Sequence, residues 1–201
     1  MVSYVPATMD DMSEIAKVHC ECFDDYFLTS LGNKLVKKYY EQYFCEDELF
    51  VIARDDNEIV GFCMGYIRPS HARREFERRN RFLLTLKMFG LCVRLDKQAI
   101  SRCVKRLKSM IEKKHNECNK KMNSKEKTAD ILSICVVDKY KGSGVARMLV
   151  AEYENLLREN GVCQCTLFVK SDNYRAIHFY ENCKFTKCSE SNGEIKFIKT
   201  L

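Results

Sequence analysis

The stretch Ile131–Ala146, ILSICVVDKYKGSGVA, constrains the fold of this chain more than any other. An apolar strand runs into a charged turn and a Gly-Ser-Gly loop, and the spacing predicts a helix over Val145–Glu159. A strand that stops at a glycine-rich turn and restarts as a helix gathers several backbone N–H groups at the positive end of the helix dipole. That arrangement binds phosphate. Two common phosphate loops are absent from the sequence, G-x-x-x-x-G-K-(S/T) and G-x-G-x-x-G. Taken alone, the glycine pattern also fits an ordinary strand–turn–helix.

A second segment adds weight. After the helix, Cys163–Val169 (CQCTLFV) reads as a short apolar strand, followed by KSDNYRAIHFYENCKF over Lys170–Phe185. The loop Lys141-Gly142-Ser143-Gly144-Val145-Ala146 resembles the pyrophosphate loop (Q/R)-x-x-G-x-(G/A) of the GNAT acetyltransferases, with Lys141 where Gln or Arg is usual. The downstream segment resembles that family's second signature, V-x-x-x-N-x-x-A-I-x-x-Y-x-x-x-G-F. Val169, Asn173, Ala176, Ile177, Tyr180 and Phe185 fall in register, and Lys184 stands where Gly is usual. The resemblance is strong over residues 128–201 and vaguer before them.

The resemblance implies an enzyme that transfers an acetyl group from acetyl-CoA directly to a primary amine, with no metal. The loop Lys141, Gly142, Ser143, Gly144, Val145 and Ala146 would hold the pyrophosphate. The strand ending Cys135-Val136-Val137 would splay and offer backbone groups to the pantetheine arm, and Asn173 would contact that arm. Tyr180 matches the family's usual general acid, and a phenol of pKa about 10 suits a thiolate leaving group. Without the resemblance, Tyr180 reads as an aromatic core residue on a helix. Some members use a Glu in an A-E-I segment as general base. Here the segment is Ala129-Asp130-Ile131, so Asp130 is the candidate base, acting through a water or orienting the amine. Its bland reading is a strand-entry carboxylate in solvent. Ser133, three residues on in a twisted strand, is expected on the same face as Asp130, although strict alternation puts it opposite, and that conflict makes it a weaker candidate for the same role. Cys135 as an acyl-carrying nucleophile conflicts with direct transfer.

The layout implied is one α/β domain over residues 1–201, a mixed, mostly antiparallel sheet of six to seven strands with helices on both faces. Strands are expected at Ser3–Ala7, Leu49–Arg54, Glu58–Ile67, 128–137, 163–169, 184–188 and 193–199. Helices are expected at Asp10–Phe23, Asn33–Phe44, 145–159 and 173–182. Between strands 3 and 4, residues 68–127 form a helical insertion with 19 Lys/Arg against 6 Asp/Glu, whereas the rest of the chain has 15 against 22. The overall excess of +6 therefore arises entirely there. Phe82, Leu83, Leu86, Met88 and Phe89 give one apolar surface. Asp96 caps a helix with Ile100, Val104, Leu107 and Ile111 on a single stripe. Such charge is usually a solvated helical face, but it also draws anionic ligands.

Composition excludes several classes. No apolar run reaches the roughly 18 residues of a membrane span. The start, MVSYVPATMDDMSE, lacks the basic and apolar parts of a signal peptide, so a cytoplasmic protein is expected. The twelve cysteines, among them Cys63, Cys135, Cys163 and Cys165 inside strand patterns, read as reduced and mostly buried. With no C-x-x-C pair and four scattered histidines, no metal site is expected. No nucleic-acid-binding signature is visible, so no nucleic-acid partner is expected.

Acceptor choice belongs to the variable first half. Cys22–Tyr40 resembles a subset of bacterial GNAT proteins associated with surface-polysaccharide sugar modification, through Phe23, Phe27, Leu28, Thr29, Leu31 and Gly32. The same residues read equally as a helix–turn–helix junction with its aromatics in the core. Asp24, Asp25, Tyr26 and Thr29 are the candidate acceptor-binding residues, for a small-molecule amine that is possibly anionic, such as a nucleotide-linked amino sugar. A protein or peptide amine, a CoA-binding module without turnover, and a nucleic-acid-associated scaffold acting through residues 68–127 remain as alternatives. The enzyme is expected as a monomer or homodimer.

Overall fold

The computed structural model describes residues 1–24, 26–47, 49–81, 83–84 and 127–201. The elements are β1 (Val2–Pro6), α1 (Met12–Cys22), the short α2 (Phe27–Ser30), α3 (Asn33–Asp47), β2 (Phe50–Asp55) and β3 (Glu58–Ile67). Then come α4 (Ala72–Arg79), β4 (Lys127–Val136), α5 (Val145–Glu159), β5 (Val162–Lys170), α6 (Tyr174–Asn182), β6 (Thr186–Ser191) and β7 (Glu194–Thr200). The strands form one seven-stranded sheet in the order β1-β2-β3-β4-β5-β7-β6. All neighbours are antiparallel except β4 and β5, which run parallel.

The expected elements are all present among the described residues, most shifted by one to three residues at their ends. Three further short pieces, α2 and the 3-10 turns Met9–Asp11 and Asp138–Tyr140, come from residues that periodicity leaves silent. Residues 1–75 with 126–201 form one compact unit and residues 76–125 another. In the second, the described backbone continues the turn of α4, with Asn80 N–H donating to the Phe76 carbonyl (3.0 Å) and Leu84 N–H to that of Asn80 (2.9 Å). The helices expected around Asp96, with Ile100, Val104, Leu107 and Ile111, lie outside the described residues, as do Phe82, Leu86, Met88 and Phe89.

Alternation along the central strands builds two cores. On one face, Ile15, Ala16, Val36, Tyr40 and Phe44 of α1 and α3 pack on Phe50, Ile52, Phe62 and Met64. On the other, Leu149, Val150, Tyr153 and Leu157 of α5 and Tyr180 of α6 pack on Val51, Cys63, Ile131, Cys165 and Leu167. The described cysteines are free thiols; Cys63, Cys135 and Cys165 are buried, but Cys163 is exposed, against expectation, because it faces outward at the start of β5.

Two irregularities in β4 open the middle of the sheet. The β4–β5 ladder ends at Asp130↔Thr166, although β4 runs on to Val136 and β5 to Lys170. Beyond that pair β5 is held by β7 instead, so a wedge opens between the parallel strands. Against β3, the register passes from Gly65↔Ile131 to Met64↔Ser133, leaving Leu132 as a bulge residue. Tyr153 of α5 reaches in at this point, its hydroxyl donating to the Asp130 carbonyl at 3.2 Å. Gly65 makes that possible: a Cβ there would overlap both the Asp130 carbonyl and the Tyr153 hydroxyl.

Candidate active site

The glycine loop sits where β4 ends. Val137 N–H donates to the Val60 carbonyl (2.9 Å), and the Val137 carbonyl accepts from Tyr140 N–H (2.9 Å). The Val137 backbone is thus turned to β3, as is that of Cys135 two residues before it, which leaves Val136 as the one of the three whose backbone groups face away from β3. Tyr140 fixes the loop from behind, its hydroxyl donating to Asp55 Oδ2 at 2.6 Å. Gly142 and Gly144 adopt φ of 83° and 91°, a conformation that favours glycine, and a Cβ at either would meet nothing within 4 Å. The exposed cradle leads into α5, whose first N–H groups have no intrahelical partner. Lys141 supplies a cation at its rim and pairs with Asp138.

α6 provides the other wall. Asn173, itself exposed, caps it, Oδ1 accepting from Ala176 N–H at 3.1 Å. One face down the helix, the Tyr180 ring packs edge-on against Phe179 and Phe185 and tilted against Phe197. Burial pushes its phenol well above the usual range, and nearby Cys63, Cys183 and Cys165 and the Tyr26 phenol push the same way. The Tyr180 phenol is thus protonated at physiological pH, and the same burial makes it a weaker acid than a free phenol. Lys184, in the place of the signature's Gly, has φ of 68°, which explains why Gly is usual there.

Asp130 does not stand in solvent at the strand entry. It is 4% exposed, and Arg68 grips it bidentately, Nε to Oδ2 at 2.7 Å and Nη2 to Oδ1 at 2.5 Å. Thr166, its partner across the ladder, also donates to Oδ1 and accepts from Arg68 Nη2 at 2.8 Å. This pairing gives Asp130 a structural role, tying Arg68 to β4 and β5. Arg68 and Thr166 carry no motif in the sequence; their link spans 98 residues and appears only when the sheet forms.

The bulge at Leu132 resolves the position of Ser133. Alternation restarts there, so Asp130, Ser133 and Cys135 share the face covered by α1 and α3, while Ile131, Ile134 and Val136 face α5. Behind Ser133 lies a polar chain that the sequence does not announce. Tyr40 Oη is 3.3 Å from Ser133 Oγ and 2.6 Å from His19 Nδ1. Burial lowers the His19 pKa to about 4, and its Nε2 is buried without a partner among the described residues. Further along, a hydrogen bond with Cys135 lowers the Cys22 pKa, whereas burial pushes the Cys135 thiol up. A thiol kept protonated does not act as an acyl-carrying nucleophile.

The candidate acceptor residues divide. Thr29 is engaged in its own turn, Oγ1 donating to the Phe23 carbonyl at 2.5 Å, which leaves its oxygen as an acceptor only. Gly32, with φ of 89°, ends that turn. Asp24 is exposed, and Asp25 lies outside the described residues. Tyr26 is 42% exposed, stacks at 4.9 Å on Phe23, and has Lys170 Nζ 5.7 Å from its ring centre. Among the described residues no group of His, Cys, Asp and Glu side chains could hold a metal ion, and no helix is long and apolar enough to cross a membrane.

The sequence model described as the acetyltransferase (GNAT) family matches residues 102–185. Among solved structures, PH1933 from Pyrococcus horikoshii OT3 superposes with a TM-score of 0.62 at 14% identity, over 100% of this chain and 99% of that one. The PaiA N-acetyltransferase from Thermoplasma acidophilum, in complex with coenzyme A, gives 0.56 at 11% identity over 100% and 99%. The ribosomal-protein-S18-alanine N-acetyltransferase from Escherichia coli gives 0.56 at 13% identity over 100% and 93%. No curated protein matches the chain. At these identities the structural likenesses establish the fold.

Proposed function

With the GNAT fold and a match to the GNAT acetyltransferase family over residues 102–185, the chain is an acyltransferase that uses acetyl-CoA, and we propose that it acetylates the primary amine of a small molecule by direct transfer. The observation that supports this reading is the wedge between β4 and β5 beyond Asp130↔Thr166, with the Gly142–Gly144 loop following the end of β4 and leading into α5.

Acetyl-CoA supplies an acyl carbon that a neutral amine attacks with loss of a thiolate. Residues of the chain do the rest. Lys141 and the N–H groups of Gly142–Ala146 receive the pyrophosphate. Backbone groups of Val136, with the Asn173 amide, hold the pantetheine arm. Tyr180 gives its phenolic proton to the departing sulfur while the attacking nitrogen releases its extra proton to solvent, from which the Tyr180 phenolate is reprotonated. Asp130, fixed by Arg68 and Thr166, anchors the narrow end of the wedge. At the mouth, a lysine over an exposed tyrosine suits an acceptor with an anionic group. The bacterial sugar-modifying resemblance and the basic segment 68–127 point the same way, to a nucleotide-linked amino sugar.

The test is an acceptor screen with acetyl-CoA that follows thiol release across amino sugars, nucleotide-linked amino sugars, polyamines and peptides. A small anionic amine is expected as the best acceptor, with turnover falling at least about 100-fold in Tyr180→Phe. A peptide as the best acceptor would replace the small-molecule reading. Absence of acetyl-CoA binding in calorimetry would overturn the whole assignment.

A further inference from the structure

The His19–Tyr40–Ser133 chain has no role in the reaction as set out above. It is also hard to explain as packing. His19 is 4% exposed and Tyr40 1%, within a core of Phe50, Phe62 and other rings. An apolar pair would fill the same space without leaving His19 Nε2 buried and unpartnered, an arrangement that opposes folding. What the two residues accomplish is to fix one atom. Tyr40 Oη, held at 2.6 Å from His19 Nδ1, meets Ser133 Oγ at 3.3 Å.

Ser133 is the one member of the chain that is only half-buried. It lies beyond the last β4–β5 pair, Asp130↔Thr166, and so in the splayed part of β4, next to the bulge at Leu132. Whichever way the protons are arranged along the chain, the serine oxygen keeps a lone pair not engaged by Tyr40. If Tyr40 donates to it, one of its two acceptor sites remains; if it donates to Tyr40, both remain. The ring of His19 is neutral, since burial holds its pKa near 4, so the chain orients rather than carries a proton away.

We propose that Ser133 is a catalytic residue that receives the N–H of the incoming amine in the wedge, and that Tyr40 and His19 are positioning residues that hold its hydroxyl. The inference rests on the wedge being the acetyl-transfer site. With one amine hydrogen on Ser133 Oγ, the nitrogen lone pair is turned away from β4 and toward the wedge, where the thioester carbon lies. The class of acceptor this requires is an amine that keeps at least one N–H when neutral, a primary or secondary amine.

The experiment does not need the natural acceptor. The probe is coenzyme A joined through its sulfur and an acetyl spacer to propylamine, whose amide N–H stands for that of the amine; coenzyme A itself is the reference. Calorimetry gives the affinity of both for the wild type, Ser133→Ala, Tyr40→Phe and the double variant His19→Leu/Tyr40→Phe. The wild type binds the probe more tightly than coenzyme A. Ser133→Ala reduces that ratio about fivefold, the worth of one neutral hydrogen bond, with the affinity for coenzyme A unchanged. The double variant removes both buried partners together and so keeps a satisfied core. It loses part of the same ratio although its fold is sound, which a purely structural role would not produce. A ratio unchanged in Ser133→Ala, or no preference for the probe in the wild type, overturns the proposal alone. Failure of the wild type to bind coenzyme A overturns the acetyl-transfer assignment on which it rests.

Discussion

At the scale of the residue, the environment of a side chain decides its role more than its type does. Tyr180 and Tyr40 are both buried phenols, both raised above the usual range by burial. One sits on α6 among aromatic rings and is proposed to hold a proton for a leaving thiolate; the other is hydrogen-bonded to His19 and Ser133. Asp130 shows the same point. Gripped by Arg68 and Thr166, it is a joint between β3, β4 and β5. Asp130→Asn should therefore lower stability by about 2 kcal/mol, less than a fully buried pair because the Arg68 side chain is 29% exposed, as measured by urea unfolding. Were Asp130 also the base, the same loss of stability would come with a changed pH dependence of turnover. Tyr180 was legible in the sequence because its signature is local. Arg68, Thr166, His19 and Tyr40 were not, since their partners lie 62, 36, 21 and 93 residues away.

At the scale of the element, strand and helix ends carry the function. The helix of Val145–Glu159 was readable to the residue because Gly144 marks its start and the apolar period is strong. The bulge at Leu132 was not readable: nothing in ILSIC signals an extra residue, and strict alternation misplaces Ser133 by one face. The loop offers a clean separation of shape from charge. Gly144→Ala places a methyl in open space at φ of 91°, so backbone strain of roughly 1 kcal/mol is its main effect and acetyl-CoA binding survives, weakened. Gly144→Glu adds the same strain and also puts a carboxylate where the pyrophosphate sits. It should abolish binding in calorimetry while circular dichroism shows an intact fold. Equal binding by the two variants would remove the loop from the site.

At the scale of the whole molecule, charge is divided unevenly, with residues 68–127 carrying 19 Lys/Arg against 6 Asp/Glu and the rest of the chain 15 against 22. If this basic segment gathers anions, the association rate of acetyl-CoA in stopped-flow should fall roughly three- to tenfold between 50 and 300 mM salt. A flat dependence would make it a solvated face. The sheet has its own division. Four residue pairs, Lys127↔Val162 to Asp130↔Thr166, are all that join β1–β4 to β5–β7 edge to edge. Past them each half presents an unfinished border to the other. A donor whose pantetheine amides lie along that border acts as a temporary splice, completing the hydrogen-bonded fabric on arrival and leaving it open on departure. If the donor binds there, the seam that admits it also sets how firmly β1–β4 hold to β5–β7.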